Sequence, residues 1–177
     1  MSTYFKDVPG YIKFIAVIDR ENNPVLFFNF HAPTTELSYQ LAVFASLDLF
    51  KNKNESVNDN TTASTTSTTV TAVTGVTSLN DEYKGLLMPL YEYEEDLGVY
   101  GYVGNNGMKI CVIKKLEKEN GASETKMQVI CKEIYMKHNK LLLNPFYDKN
   151  EFNNVNSVQR EQFSLSVLDY ITQNQIL

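Results

Sequence analysis

The chain is poor in the residues that most often carry chemistry. Its 177 residues include 2 cysteines, 2 histidines and no tryptophan. Two cysteines cannot build a disulfide framework, and two histidines leave little material for a zinc site. Positive charge is also scarce: 16 basic side chains face 21 acidic ones, a net charge of −5. That balance argues against a partner held by nucleic-acid phosphates, which need clustered Lys and Arg. Long apolar runs are missing as well. Nothing approaches the ~20 residues that a bilayer demands, and the early run Phe14 to Ile18 is too short for a signal-peptide core. With no entry signal, the glycosylation patterns at Asn54 and Asn60 read as unused. Cys111 and Cys131 read as reduced core thiols, and the chain as cytosolic or peripheral on a membrane. What is present is apolar material, 43% of the chain, with 12% aromatic. That suffices for the core of one domain.

Composition changes abruptly after Phe50. No aromatic residue occurs from Lys51 to Glu82, and the centre of that stretch, Thr61 to Thr69, is almost entirely Thr and Ser. Such a tract buries too little apolar area to offset its ordering entropy. A Thr-rich strand is the competing reading, but Val70, Val73 and Val76 recur every three residues, not every two. The expectation is a single domain over residues 1–177, interrupted at about 51–79 by a disordered Thr/Asn-rich insertion. Loop-closure entropy grows slowly enough with length to tolerate it.

The flanking sequence alternates between strand and helix patterns. Ile12 to Asp19 and Val25 to Phe30 predict a hairpin around Arg20 to Pro24. Pro33 with Thr34 or Thr35 starts a helix, in which Leu37, Leu41, Phe44 and Leu47 form the expected core face. After the insertion, Tyr83 to Tyr93 contains an extended segment around Leu86, Leu87 and Leu90, whose end Pro89 demotes to an edge or a loop. Leu97 to Val103 and Met108 to Ile113 flank Gly104-Asn105-Asn106-Gly107, a hairpin turn expected to need positive φ at both central positions. Two helices follow. One carries the stripe Met127, Ile130, Ile134, His138 and Leu141, the other Phe163, Val167, Tyr170 and Ile171. Asn144-Pro145-Phe146-Tyr147 separates them. The order β-β-α-β-β-β-α-α, with hairpins and segregated helices, is that of an α+β domain.

No catalytic constellation emerges from these elements. Gly101, Gly104 and Gly107 are spaced like a phosphate loop but sit within a hairpin, not between a strand and a helix. Glu92, Glu94, Glu95 and Asp96 lack calcium-loop spacing and read as a solvated turn. His138 reads as a packed, hydrogen-bonded core residue, with a Cys111–His138 couple as the catalytic alternative. Lys114, Lys115 and Lys118 give a weak membrane-surface signal, diluted by Glu117 and Glu119. Asp48 stands out because it continues the Leu41–Phe44 stripe at four-residue spacing. It is the candidate partner contact; the plainer reading is that it ends the helix or accepts a backbone hydrogen bond.

Five blocks in order carry a family resemblance. Ile15-Ala16-Val17-Ile18-Asp19 with Asn23-Pro24-Val25, then Ala45-Ser46-Leu47-Asp48, resemble the opening hairpin and first helix of sedlin-type TRAPP subunits. Tyr83-Lys84-Gly85-Leu86-Leu87, Val99-Tyr100-Gly101-Tyr102-Val103 and Asn144-Pro145-Phe146-Tyr147 resemble the subunit-2-like branch. The insertion after the first helix and a longer N-terminal lead depart from the family pattern. The resemblance implies a longin-like fold, a five-stranded antiparallel sheet with one helix on one face and two on the other. It further implies a non-catalytic adaptor, without cofactor, in a TRAPP-type tethering and Rab guanine-nucleotide-exchange complex at ER–Golgi and Golgi membranes. Its partners would be small core subunits and a large peripheral subunit, with the Rab GTPase reached through the complex. The alternatives are another longin-type module, SNARE-like or an adaptor small chain, and a small hydrolase.

Overall fold

The computed structural model describes residues 3–4, 12–50, 82–92, 95–116, 121–149, 152 and 157–173. The expected insertion at about 51–79 lies outside the described residues. Two strands, β2 (Ile12–Ile18) and β3 (Pro24–Asn29), precede a 3-10 turn (Pro33–Thr35) and helix α1 (Glu36–Ser46). Three more follow, β4 (Glu82–Glu92), β5 (Glu95–Val103) and β6 (Lys109–Lys115), then helices α2 (Gly121–Leu142) and α3 (Val158–Gln173). These five strands pair antiparallel in the order β3-β2-β6-β5-β4. The longin-like α+β arrangement is therefore present. It has one addition: a two-residue strand β1 (Thr3–Tyr4) lies parallel to β3 opposite Phe28 and Asn29.

Alternation along the strands sends side chains to two separate cores. Ile15 and Val17 of β2, with Leu26 and Phe28 of β3, pack beneath α2 and α3. Phe14, Ala16 and Ile18, with Phe27, pack beneath α1. Both faces of β2 are thus covered, which explains why its sequence reads as a continuous apolar run.

Two hairpins fix the strand register. In the first, the Asp19 carboxylate accepts hydrogen bonds from the Asn23 backbone N–H at 2.7 Å and from its Nδ2 at 3.2 Å, while Asn22 takes a φ of 67°. In the second, Gly104 donates to the Met108 carbonyl at 2.9 Å and Gly107 donates to the Gly104 carbonyl at 2.9 Å. Gly107 alone has positive φ, at 80°. The expected turn with two such residues is therefore replaced by a three-residue loop whose last residue is left-handed. Asn106 contributes a side-chain acceptor to the Met108 N–H at 3.0 Å.

Candidate functional site

Helix α1 turns a different face to the sheet from the one its spacing predicts. Tyr39, Ala42, Val43 and Ser46 are buried, followed by Leu47 and Phe50. Leu37 and Leu41 are 67% and 62% exposed, and Phe44 is 39% exposed. Of the predicted stripe only Leu47 enters the core. The helix carries apolar residues on two sides, and periodicity alone does not choose between them. Ala42 and Ser46 present little bulk to the sheet, while the Tyr39 ring meets Phe14 at 5.7 Å.

The opposite side of α1 is consequently an apolar ridge in water. Leu37, Leu41 and Phe44 recur at helical spacing and share one face of α1, and Asp48 follows at the same spacing just beyond the helix. The Phe44 ring stands edge-on to Phe27 at 6.4 Å, tying the ridge to the outer strand β3. Asp48 is exposed in the turn that follows α1, and among the described residues nothing bonds to its carboxylate. It stands at one end of the ridge and faces solvent. A row of exposed large apolar side chains ending in a carboxylate is the composition of a protein-binding surface, with an apolar centre and a polar rim.

The other singled-out residues do not assemble into chemistry. Cys111 belongs to the core under α1, whereas the rings around His138 belong to the core under α2 and α3. The sheet separates the pair, which removes the Cys111–His138 couple. Burial also pushes the Cys111 thiol up to about 12, far from a reactive thiolate. Lys114 is not a surface charge: it is 2% exposed, with Nζ 4.5 Å from the centre of the Tyr100 ring. The basic group therefore loses its first member, and Lys118 lies outside the described residues. Gly101, Gly104 and Gly107 lie in the β5–β6 hairpin, as expected. Glu92 and Glu95 are paired residues at the ends of β4 and β5. Among the described residues no group of three His, Cys, Asp or Glu side chains could hold a metal ion.

His138 is packed but lacks the hydrogen bond expected of it. Its ring stands edge-on to Phe152 at 6.2 Å and to Phe163 at 5.6 Å, and Nδ1 has no hydrogen-bond partner. Burial pushes its pKa down to about 4 from an ordinary 6.5, so it is neutral at physiological pH. The unfolded chain then takes up the proton first, and stability falls as pH drops from about 6.5 towards 4. The expected loss from this group is roughly 2–3 kcal/mol. Urea unfolding at pH 7 and pH 4.5 checks it: His138→Phe should lose less stability across that interval than the wild type.

Among the described residues no helix is long and apolar enough to cross a membrane. No curated protein matches the chain. A family model described as Sedlin matches residues 6–173, a span that includes the sheet from β2 onward and helices α1, α2 and α3. With that match over nearly its whole length, and the longin-like fold to go with it, the chain belongs to the sedlin family of TRAPP-type trafficking subunits.

Proposed function

We propose that the chain is a non-catalytic adaptor subunit of a TRAPP-type tethering and Rab guanine-nucleotide-exchange complex, of the subunit-2-like branch. The observation that carries this reading is the ridge of α1. Leu37, Leu41 and Phe44 leave apolar surface in water that a free-standing domain would be expected to bury, with Asp48 beside it as a polar contact. In this reading the ridge takes another subunit of the complex. The chain links small core subunits to a large peripheral one, serves the Rab GTPase only through the assembly, and meets ER–Golgi and Golgi membranes in the same indirect way. It needs no cofactor. Affinity purification of the tagged chain from its own cells is expected to recover the other TRAPP subunits, and recovery of none would overturn the assignment.

The reading also treats residues 1–177 as one domain carrying an insertion that takes no part in folding. Deleting residues 52–78 is expected to leave a single cooperative unfolding transition and an unchanged set of co-purifying subunits. Loss of cooperativity in that deletion would place the Thr-rich tract in the core.

A further inference from the structure

Helix α2 ends in a turn that holds an aromatic ring out in water. The Leu143 N–H donates to the Asn139 carbonyl at 3.0 Å and the Asn144 N–H to that of Leu141 at 3.1 Å, closing the helix. Asn144-Pro145-Phe146-Tyr147 then reverses the chain, with the Tyr147 N–H donating to the Asn144 carbonyl at 2.9 Å. Pro145 at the second position and a negative φ at Phe146 make this a type I turn. The Asn144 side chain adds a second clasp, its Oδ1 accepting from the Phe146 N–H at 3.0 Å. Gln159 Nε2 donates to the Phe146 carbonyl at 2.9 Å and fastens the turn to the start of α3.

The residues of the turn divide between core and solvent. Tyr147 is half-buried, its ring 5.7 Å from that of Phe152, which belongs to the core under α2 and α3. Phe146 is 83% exposed and Leu143, just before the turn, 81%; no other large apolar side chain among the described residues is as exposed. Val158, beside Gln159, is a third exposed apolar residue. The turn itself asks only for Asn and Pro, and so exposed a ring contributes little packing, so the stability of the domain does not call for Phe at this position. A lipid surface would take an apolar ring from any backbone conformation. A backbone held by three hydrogen bonds suits instead a pocket of fixed shape, because the ordering is complete before binding.

We propose that this turn docks into a partner protein that reads Asn-Pro-Phe as a preformed turn. An apolar pocket of the partner would take the Phe146 ring, with Leu143 and Val158 resting on its rim. An acceptor beside the pocket would take the Asn144 Nδ2–H, which bonds to nothing among the described residues. Aromatic anchors seated in such pockets carry much of the affinity of an interface. Tyr147 is not the recognised group, since its ring already packs on Phe152. The turn lies on the side of the sheet opposite α1, so the proposal stands whether or not the ridge faces the complex.

The probe is a purified EH domain, a module whose apolar pocket accepts the ring of an Asn-Pro-Phe turn, titrated into the full-length chain by isothermal calorimetry. Saturable one-to-one binding is expected, with affinity at least tenfold lower for Phe146→Ala and several-fold lower for Asn144→Ala. Phe146→Ala should keep its melting temperature within about 2 °C of the wild type, because little packing is lost at so exposed a ring. Tyr147→Phe and Leu41→Glu should bind the domain as the wild type does, which separates this site from the tyrosine and from the ridge. Absence of binding, or equal affinity for Phe146→Ala, would overturn the proposal. So would affinity lost with Tyr147→Phe and kept with Phe146→Ala. Sedimentation with phosphatidylserine vesicles that depends on Phe146, while the EH domain does not bind, would also overturn it and make the occupant a lipid surface.

Discussion

Leu41→Glu is expected to release the chain from its complex while leaving its melting temperature within about 2 °C of the wild type. Leu41 is 62% exposed on α1, so a charge there costs no core packing, and surface changes of this kind usually alter stability by less than ~0.5 kcal/mol. In a bound ridge the same charge would sit desolvated and unpaired. Central interface positions typically cost ~2 kcal/mol or more on truncation, about a thirtyfold loss of affinity, and a buried unpaired carboxylate costs more. Asp48→Ala should act in the same direction but less strongly, because a rim charge contributes little once water can reach it. Co-purification of TRAPP subunits against a thermal melt of the isolated chain separates the outcomes. If Leu41→Glu loses partners and melting temperature together, the ridge is structural. If it loses neither, the partner binds elsewhere.

Gly104→Ala should instead cost stability and spare the interface. A methyl group at residue 104 would fall inside the space of the Tyr135 ring, which is 4% exposed and packs on Tyr102 at 5.9 Å. The ring has to leave its place in the core under α2. Overpacking of this kind costs about 3 kcal/mol at the upper end of its usual range, a fall in melting temperature of roughly 6–12 °C for a chain of this size. Shrinking the neighbour should relieve the clash. Gly104→Ala combined with Tyr135→Leu is expected to be less destabilised than the sum of the two single changes. Additive losses in that double-mutant cycle would show that the ring is not what the methyl group meets.

The two helix faces show where sequence reading succeeds and where it stops. On α2, Met127, Ile130, Ile134 and His138 form one apolar stripe among charged residues, so spacing alone finds the buried side. On α1 the segment from Glu36 to Ser46 has Tyr39, Ala42 and Val43 on one side and Leu37, Leu41 and Phe44 on the other. Larger side chains favoured the wrong side, since the sheet selects for close fit and not for bulk. Asp48 continues the spacing of Leu41 and Phe44, but that spacing lies on the outer side of α1, and Asp48 is exposed in the turn beyond Ser46. The β5–β6 hairpin was legible from its Asn and Gly residues, although the conformation of its turn was set by which residue met the strand twist. The hollow lined by Leu26, His138 and Arg160 had no local signal at all. Leu26, His138 and Arg160 come from β3, α2 and α3, and only the tertiary fold brings them to one place.

The strand order also has a consequence in time. β2 and β6 sit in the middle of the sheet, each bonded on both sides and covered on both faces. Their amides can exchange with deuterated solvent only when the whole domain opens, so they should be the slowest in the molecule. β4, which rejoins the chain at Glu82 after the Thr-rich tract, lies at the edge opposite β1, with β6 and β5 between it and β2. Changes of length between Phe50 and Glu82 therefore act on the fast-exchanging margin. The part of the domain that keeps time is insulated from them.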